Sequence, residues 1–173
     1  MRDHPHIVLI GMMASGKTTV GRLLAAQLDR PLVDLDSALV ESIGISIADA
    51  FDAHGEEWFR AQETAMLLDV LSNESPQIIS PGGGIVLAVE NRAALKQHAL
   101  CVWLRASPET ILRRVGTGTS RPLLAGNTEE RVRRINAERG ALYAEVANAV
   151  IDVDDLTSPQ VVECVRAAFR EAC

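Results

Sequence analysis

A chain of 173 residues, 47% of them hydrophobic and with only 12 glycines and 7 prolines, fits one folded domain with a sizeable core and excludes a disordered protein. Its net charge of −6 argues against a nucleic-acid surface. No apolar run reaches membrane-spanning length, and Met1-Arg2-Asp3-His4-Pro5 lacks the apolar core of a signal peptide, so a cytoplasmic location is expected.

The first element is the buried strand Ile7-Val8-Leu9-Ile10. It runs into Gly11-Met12-Met13-Ala14-Ser15-Gly16-Lys17-Thr18, and a helix follows from Thr19 with Val20, Leu23, Leu24 and Leu28 at inward spacing. The pattern G-x-x-x-x-G-K-S/T between a strand and a helix is a phosphate-binding P-loop. Gly11 and Gly16 let successive backbone N–H groups converge on one anion, and the helix start adds its own donors. Lys17 is placed to reach the β- and γ-phosphates of a nucleoside triphosphate, and the Thr18 hydroxyl to ligate Mg²⁺.

Pro31 to Asp36 reads as a second strand ending in two carboxylates. Residues two apart on a strand face the same way, about 6–7 Å from one another, so Asp34 and Asp36 are expected to project together into the ligand crevice. The alternative makes Asp36 the cap of a helix beginning at Ser37, which explains one aspartate and not both. Helical segments follow, broken at Gly44 and Gly55, with a helix start at Ser46 and Asp49. A longer helix from Glu56 to Leu71 presents Trp58, Phe59, Ala65, Leu68 and Leu71 to a core. Arg60 lies on it between Glu56 and Glu63, a spacing that suits a surface charge ladder as well as a pocket ligand.

Gln77 to Ser80 forms a third strand, cut off by Pro81-Gly82-Gly83-Gly84. Three consecutive glycines suit a backbone that must pass close to a ligand. This strand carries no carboxylate at its end to organise magnesium; Asp34 is the natural substitute, and Asp152 a poorer one. A short helix over 91–98, a buried strand over 99–104 and a helix from Pro108 to Val115 with Arg113 and Arg114 come next. Residues 116–126 are small, polar and flanked by glycine around Arg121, which suggests a mobile lid, with an ordinary exposed connection as the plain alternative.

A helix from Thr128 to about Val146 carries Arg131, Arg133, Arg134 and Arg139, most of them expected in solvent or paired with Glu129, Glu130 and Glu138. A fifth strand, 149–152, precedes a closing amphipathic helix, Ser158 to Ala172, with Val161, Val165, Ala168 and Phe169 inward. Alternating strands and helices predict an α/β chain with a parallel sheet covered on both faces. Cys101, Cys164 and Cys173 are expected to be reduced thiols, two of them facing the core. The four histidines follow no metal-ligand spacing, and His4-Pro5-His6 reads as a frayed terminus. Fifteen arginines stand against two lysines, a bias suited to anion recognition but equally to a GC-rich genome.

The P-loop, the Asp34/Asp36 pair, Gly55-Glu56 with Phe59-Arg60 and Glu63, the triple glycine and Arg121-Pro122-Leu123-Leu124 occur in an order that resembles the shikimate kinase family, from Ile7 to Phe169. The resemblance implies a three-layer α/β sandwich with a five-stranded parallel sheet in the order 2-3-1-4-5, as in nucleoside monophosphate kinases. It makes residues 1–173 a single domain, with a substrate-binding region at about 34–61 and a lid at about 116–127. It implies ATP binding by Met13, Ala14, Ser15, Gly16, Lys17, Thr18 and Thr19, with Arg114 stacking on adenine (its neighbour Arg113 being the other choice) and Arg121 closing over the transferring phosphate. Mg²⁺ falls to Thr18 and Asp34, and Asp36 becomes the base that meets the acceptor hydroxyl. Arg60 and Arg139 hold the shikimate carboxylate, and Gly82, Gly83 and Gly84 line that pocket. Lys17, Asp36 and Arg121 are the implied catalytic set. The partners implied are ATP and shikimate, with no membrane or nucleic acid, and the chain is expected to be a monomer. A gluconate kinase shares the P-loop and lid but not the Asp-x-Asp with Gly-Glu-x-x-Phe-Arg. A GTP-driven switch would need an Asn-Lys-x-Asp reader, which this chain lacks.

Overall fold

The computed structural model describes residues 6–116 and 128–172. Five parallel strands form one sheet: β1 (His6–Ile10), β2 (Leu32–Asp34), β3 (Ile78–Ser80), β4 (Ala99–Arg105) and β5 (Ala149–Asp152), in the order β2-β3-β1-β4-β5. Seven helices connect and cover them: α1 (Lys17–Leu28), α2 (Leu35–Ile43), α3 (Ile47–Ser72), α4 (Val89–His98), α5 (Pro108–Val115), α6 (Thr128–Val146) and α7 (Ser158–Ala172). Helices α1 and α7 pack together on one side of the sheet, and α4 contacts α3 and α6 on the other. This is the three-layer α/β arrangement and strand order expected from the sequence.

The unbroken apolar run of β1 follows from its central position. Pairing to β3 on one edge and β4 on the other, with helices on both faces, leaves Ile7, Val8, Leu9 and Ile10 with no solvent exposure. Each such side chain contributes about 1.5–3 kcal/mol of burial. A second, smaller apolar cluster centres on Leu39, Ala50 and Phe59, with Ile43, Ile47 and Phe51 packed against it. It joins α2 to the first half of α3 and meets the main core through Met66, which packs against both.

Several local readings change. Strand β2 stops at Asp34, which is also the N-cap of α2: its Oδ1 accepts from the Ser37 N–H at 3.1 Å. Asp36 therefore sits in the first helical turn and not on the strand, and the capping aspartate is Asp34. An aspartate followed by helix-forming residues satisfies either assignment locally. Gly55 does interrupt the helix, with φ 82° and ψ 171° inside α3. Ala65 is exposed, and Leu67 takes the core position one turn after the buried Glu63. Leu23 points outward, whereas Val20 and Leu24 are buried. Of the two described cysteines only Cys101 is buried; Cys164 is exposed on α7. His6 is no frayed end: it begins β1 and is buried, with Nδ1 accepting from Gln77 N–H and Nε2 bonded to Asn73 O. The ring seals the crossover from α3 into β3.

Candidate active site

The P-loop leaves the end of β1 and wraps the first turn of α1. Gly11 has φ 143°, and a Cβ there would lie 2.5 Å from Leu104 O, so the turn next to β4 admits no side chain. Ala14 (φ 59°) and Gly16 (φ 101°) continue the left-handed turn, which brings backbone donors to one concavity. Lys17 Nζ lies inside that curl, donating to Gly11 O at 2.9 Å and Met12 O at 2.8 Å. Its charge is thus held over the loop mouth.

Next to it, Thr18 Oγ donates to Asp34 Oδ2 at 2.8 Å and lies 3.3 Å from Ser80 Oγ. Parallel pairing sets Asp34 beside Ser80 at the ends of β2 and β3. Ser80 thus stands where the third strand lacks a carboxylate. The sequence reading missed it, although its place just before Pro81 was the available signal. Three oxygen donors with one carboxylate suit Mg²⁺, which keeps waters and phosphate oxygens as its remaining ligands. Among the described residues no cluster of three His, Cys, Asp or Glu forms a metal cage. Asp152 is engaged elsewhere, in an exposed pair with Arg105.

Two cavities meet at the Gly-rich loop. One, of about 240 Å³, is lined by Met13, Ala14 and Gly16 to Thr19 of the P-loop together with Asp34, Asp36 and Ser80. The other, of about 770 Å³, is lined by Phe51, Phe59, Arg60, Glu63, Gly84 and Arg139 among others. Met13, Asp36, Gly82 and Gly83 line both. Asp36 therefore occupies the shared wall even though it arrives from a helix. A third cavity, of about 360 Å³, lies between Ser15, Thr19, Arg114 and Val153. Arg114 donates to Ala14 O and Ser15 O at 3.1 and 3.2 Å and to Val153 O at 3.2 Å, while Arg113 turns to Thr110. Of the adjacent pair, Arg114 faces the P-loop. Arg121 and the lid fall outside the described residues.

Arg60 combines both expectations for it. Its guanidinium pairs with Glu56 at 3.3 Å, as a ladder predicts, and with Glu63 at 2.7 Å inside the pocket. The Glu63 side chain is 4% exposed against 61% for Glu56, so only one of these pairs is a solvated one. Burial pushes the Glu63 carboxyl above its ordinary range; Arg60 opposes this, and the negative charge of Asp36 adds to it. Arg60 lies against Gly84, where a Cβ would come within 2.6 Å of Cζ. Arg139, expected on a mostly solvated helix face, is buried at 8% exposure on the other wall. Its neighbours Arg133 and Arg134 do pair with Glu129 and Glu138. Glu63, read from spacing only as a ladder partner of Arg60, lines the pocket, and Tyr143, to which the sequence assigned no role, lies behind it with its hydroxyl donating to Gly83 O at 2.6 Å.

A 2-3-1-4-5 parallel sheet, a P-loop after β1 and a second polar pocket sharing its wall define a P-loop kinase that acts on a small acceptor. The Shikimate kinase family model matches residues 13–169. The shikimate kinase of Enterococcus faecalis is 38% identical over 95% of this chain and 98% of its own length, and that of Symbiobacterium thermophilum 41% over 96% and 97%. The solved shikimate kinase from Acinetobacter baumannii in complex with shikimate superposes with a TM-score of 0.94 at 32% identity, covering 99% of this chain and 96% of that one. A gluconokinase from Sinorhizobium meliloti, at 17% identity and TM-score 0.61, shares the fold. The chain belongs to the shikimate kinase family.

Proposed function

We propose that the chain transfers the γ-phosphoryl group of ATP to the 3-hydroxyl of shikimate, giving shikimate 3-phosphate and ADP on the path to chorismate and the aromatic amino acids. The observation that carries this reading is Asp36 on the wall common to the P-loop cavity and the Arg60/Arg139 cavity. An acceptor whose carboxylate lies between the two arginines then meets the P-loop with its far side, where the hydroxyls are.

In this reading Lys17 turns from the Gly11 and Met12 carbonyls to the β- and γ-phosphates, with Gly16, Thr19 and the loop from Met13 to Ser15 adding backbone donors. Thr18 and Asp34, with Ser80, hold Mg²⁺, which when bound with ATP supplies positive charge at the phosphate oxygens. Arg114 lines the third cavity, where adenine would stack on it. Asp36 orients the 3-hydroxyl and takes its proton as the new O–P bond forms and the bond to the β-phosphate oxygen breaks. Gly82, Gly83 and Gly84 let the ring approach the loop. Arg121 keeps the role its sequence position implies, neutralising the transferring group as the lid closes. The whole of 1–173 acts as one kinase domain, a monomer in the cytoplasm. No helix of the described residues is long and apolar enough to cross a membrane, and Cys101 and Cys164 are unpaired thiols.

ADP release measured with ATP and Mg²⁺, and with shikimate or gluconate as acceptor, tests the assignment. Release dependent on shikimate is expected. Equal release with gluconate, or release without acceptor, removes it.

A further inference from the structure

The wall behind the arginine clamp contains a group to which neither the motif nor the reaction assigns a role. Tyr143 lies one helical turn beyond Arg139 on α6, is 1% exposed, and packs its ring on Trp103 at 5.5 Å. Its hydroxyl donates to Gly83 O at 2.6 Å and lies beside the Arg139 guanidinium, both facing Gly83. A guanidinium has no acceptor atom, so the single phenolic proton can go only to the glycine carbonyl. The hydroxyl therefore turns its oxygen lone pairs, and not its proton, towards Arg139. Gly83 in turn is enclosed: a Cβ on it would lie 3.3 Å from Tyr143 Oη, 3.3 Å from Gly11 O and 3.5 Å from Arg139 Nη1. In a trans peptide the C=O and the following N–H point opposite ways, so holding Gly83 O aims the Gly84 N–H away from the tyrosine. One hydroxyl therefore holds a peptide plane of the pocket and borders the charged end of Arg139.

We infer that Tyr143 is a positioning residue for the acceptor carboxylate, acting through Arg139 and the Gly83–Gly84 peptide without touching the substrate. The inference rests on the shikimate kinase reading of the same pocket. It predicts a loss confined to one substrate. Burial holds the phenol at a pKa of about 12, so the hydroxyl stays protonated and the bond pattern stays intact throughout the working pH range.

Tyr143→Phe keeps the ring on Trp103 and removes only the hydroxyl. Steady-state kinetics should show the shikimate KM raised about three- to tenfold, in line with the net worth of one ordinary hydrogen bond, with the ATP KM within about twofold of wild type. In an Arg139→Ala background the same change should add almost nothing, because its route of action is already gone. An unchanged shikimate KM, an equal loss for both substrates, or full additivity with Arg139→Ala overturns the role. A wild type that does not phosphorylate shikimate overturns the underlying reading as well, which separates the two failures. Should Tyr143→Phe not fold, the native sequence still serves, since the chain holds a single tyrosine. Labelling with 3-fluorotyrosine then reports Tyr143 alone by ¹⁹F NMR. Its resonance should shift when shikimate is added without ATP and stay in place with the neutral carboxamide analogue; no shift with shikimate, or the same shift with both, overturns the inference.

Discussion

Arg60 and Arg139 come from two helices that meet only across the pocket, so the pair can set the orientation of a bound anion as well as its affinity. Two planar guanidinium groups match a carboxylate in a way that a single ammonium cannot. Removing one partner of such a desolvated pair typically costs about 2–5 kcal/mol, against less than about 1 kcal/mol for an exposed ladder arginine. Arg60→Ala and Arg139→Ala should each raise the shikimate KM at least about tenfold, a loss of about 1.4 kcal/mol, with ATP affinity nearly unchanged. The carboxamide analogue should lose little further in either variant; if it and the acid are phosphorylated equally well by wild type, the clamp is absent. Asp34 and Asp36 should also fail differently. Asp34 bonds Thr18 and caps α2, so Asp34→Asn should be partly rescued by raised Mg²⁺. Asp36 lines both cavities, so Asp36→Asn should lose turnover that magnesium does not restore. Magnesium titrations that superimpose for the two variants would refute this division of labour.

Helix α3 is where an element rather than a residue shapes the pocket. Gly55 turns the chain between a segment carrying Ala50 and Phe51 and one carrying Phe59, Arg60 and Glu63. Its φ 82° and ψ 171° fall in a region that is essentially glycine's alone, and a Cβ there would meet nothing within 4 Å. The cost of Gly55→Ala is therefore backbone strain, about 1–3 kcal/mol by urea denaturation, together with a raised shikimate KM. Unaltered stability would mean that the kink relaxes freely. Glycine marked the place of this break in the sequence but did not require it, since Gly21 and Gly140 lie inside α1 and α6 without interrupting them. The start of α2 was not legible: over three residues a strand end and a helix start look alike, and either aspartate can cap. Arg60 was legible as a charged residue with partners three and four away, but the face it presents depends on the glycine loop some twenty residues later. The burial of Glu63 and Tyr143 depends on the same long-range packing, which spacing along one helix does not encode.

At the scale of the whole molecule, strand order decides where ligands go. The chain crosses from β1 past β3 to β2, returns to β3, then moves to β4 on the far side of β1. The loops after β1 and β3 therefore diverge from neighbouring strands at the carboxyl edge of the sheet, which opens a crevice there. The P-loop and the 81–84 loop are those two loops, and the substrates are joined through the best-supported strands in the fold. A ligand that binds only this assembled crevice stabilises the folded state by about 2.7 kcal/mol at a hundred times its Kd. For a chain of this size that corresponds to a rise in Tm of roughly 5–10 °C. Thermal melts should show such a rise with shikimate and little with its carboxamide; equal rises would place the binding energy outside the carboxylate.

The separation of the small Leu39–Ala50–Phe59 cluster from the main core gives the molecule two levels of persistence. Amides of β1, bonded to neighbours on both edges and buried on both faces, should exchange with deuterium only when the whole domain opens. Those of α2 and the first half of α3, held by the smaller cluster, should exchange faster, through local opening; equal protection of β1 and α2 in hydrogen–deuterium exchange would refute this. The acceptor pocket is thus built between a wall of high and a wall of lower expected persistence, joined where Asp34 both caps α2 and bonds Thr18 of the phosphate loop.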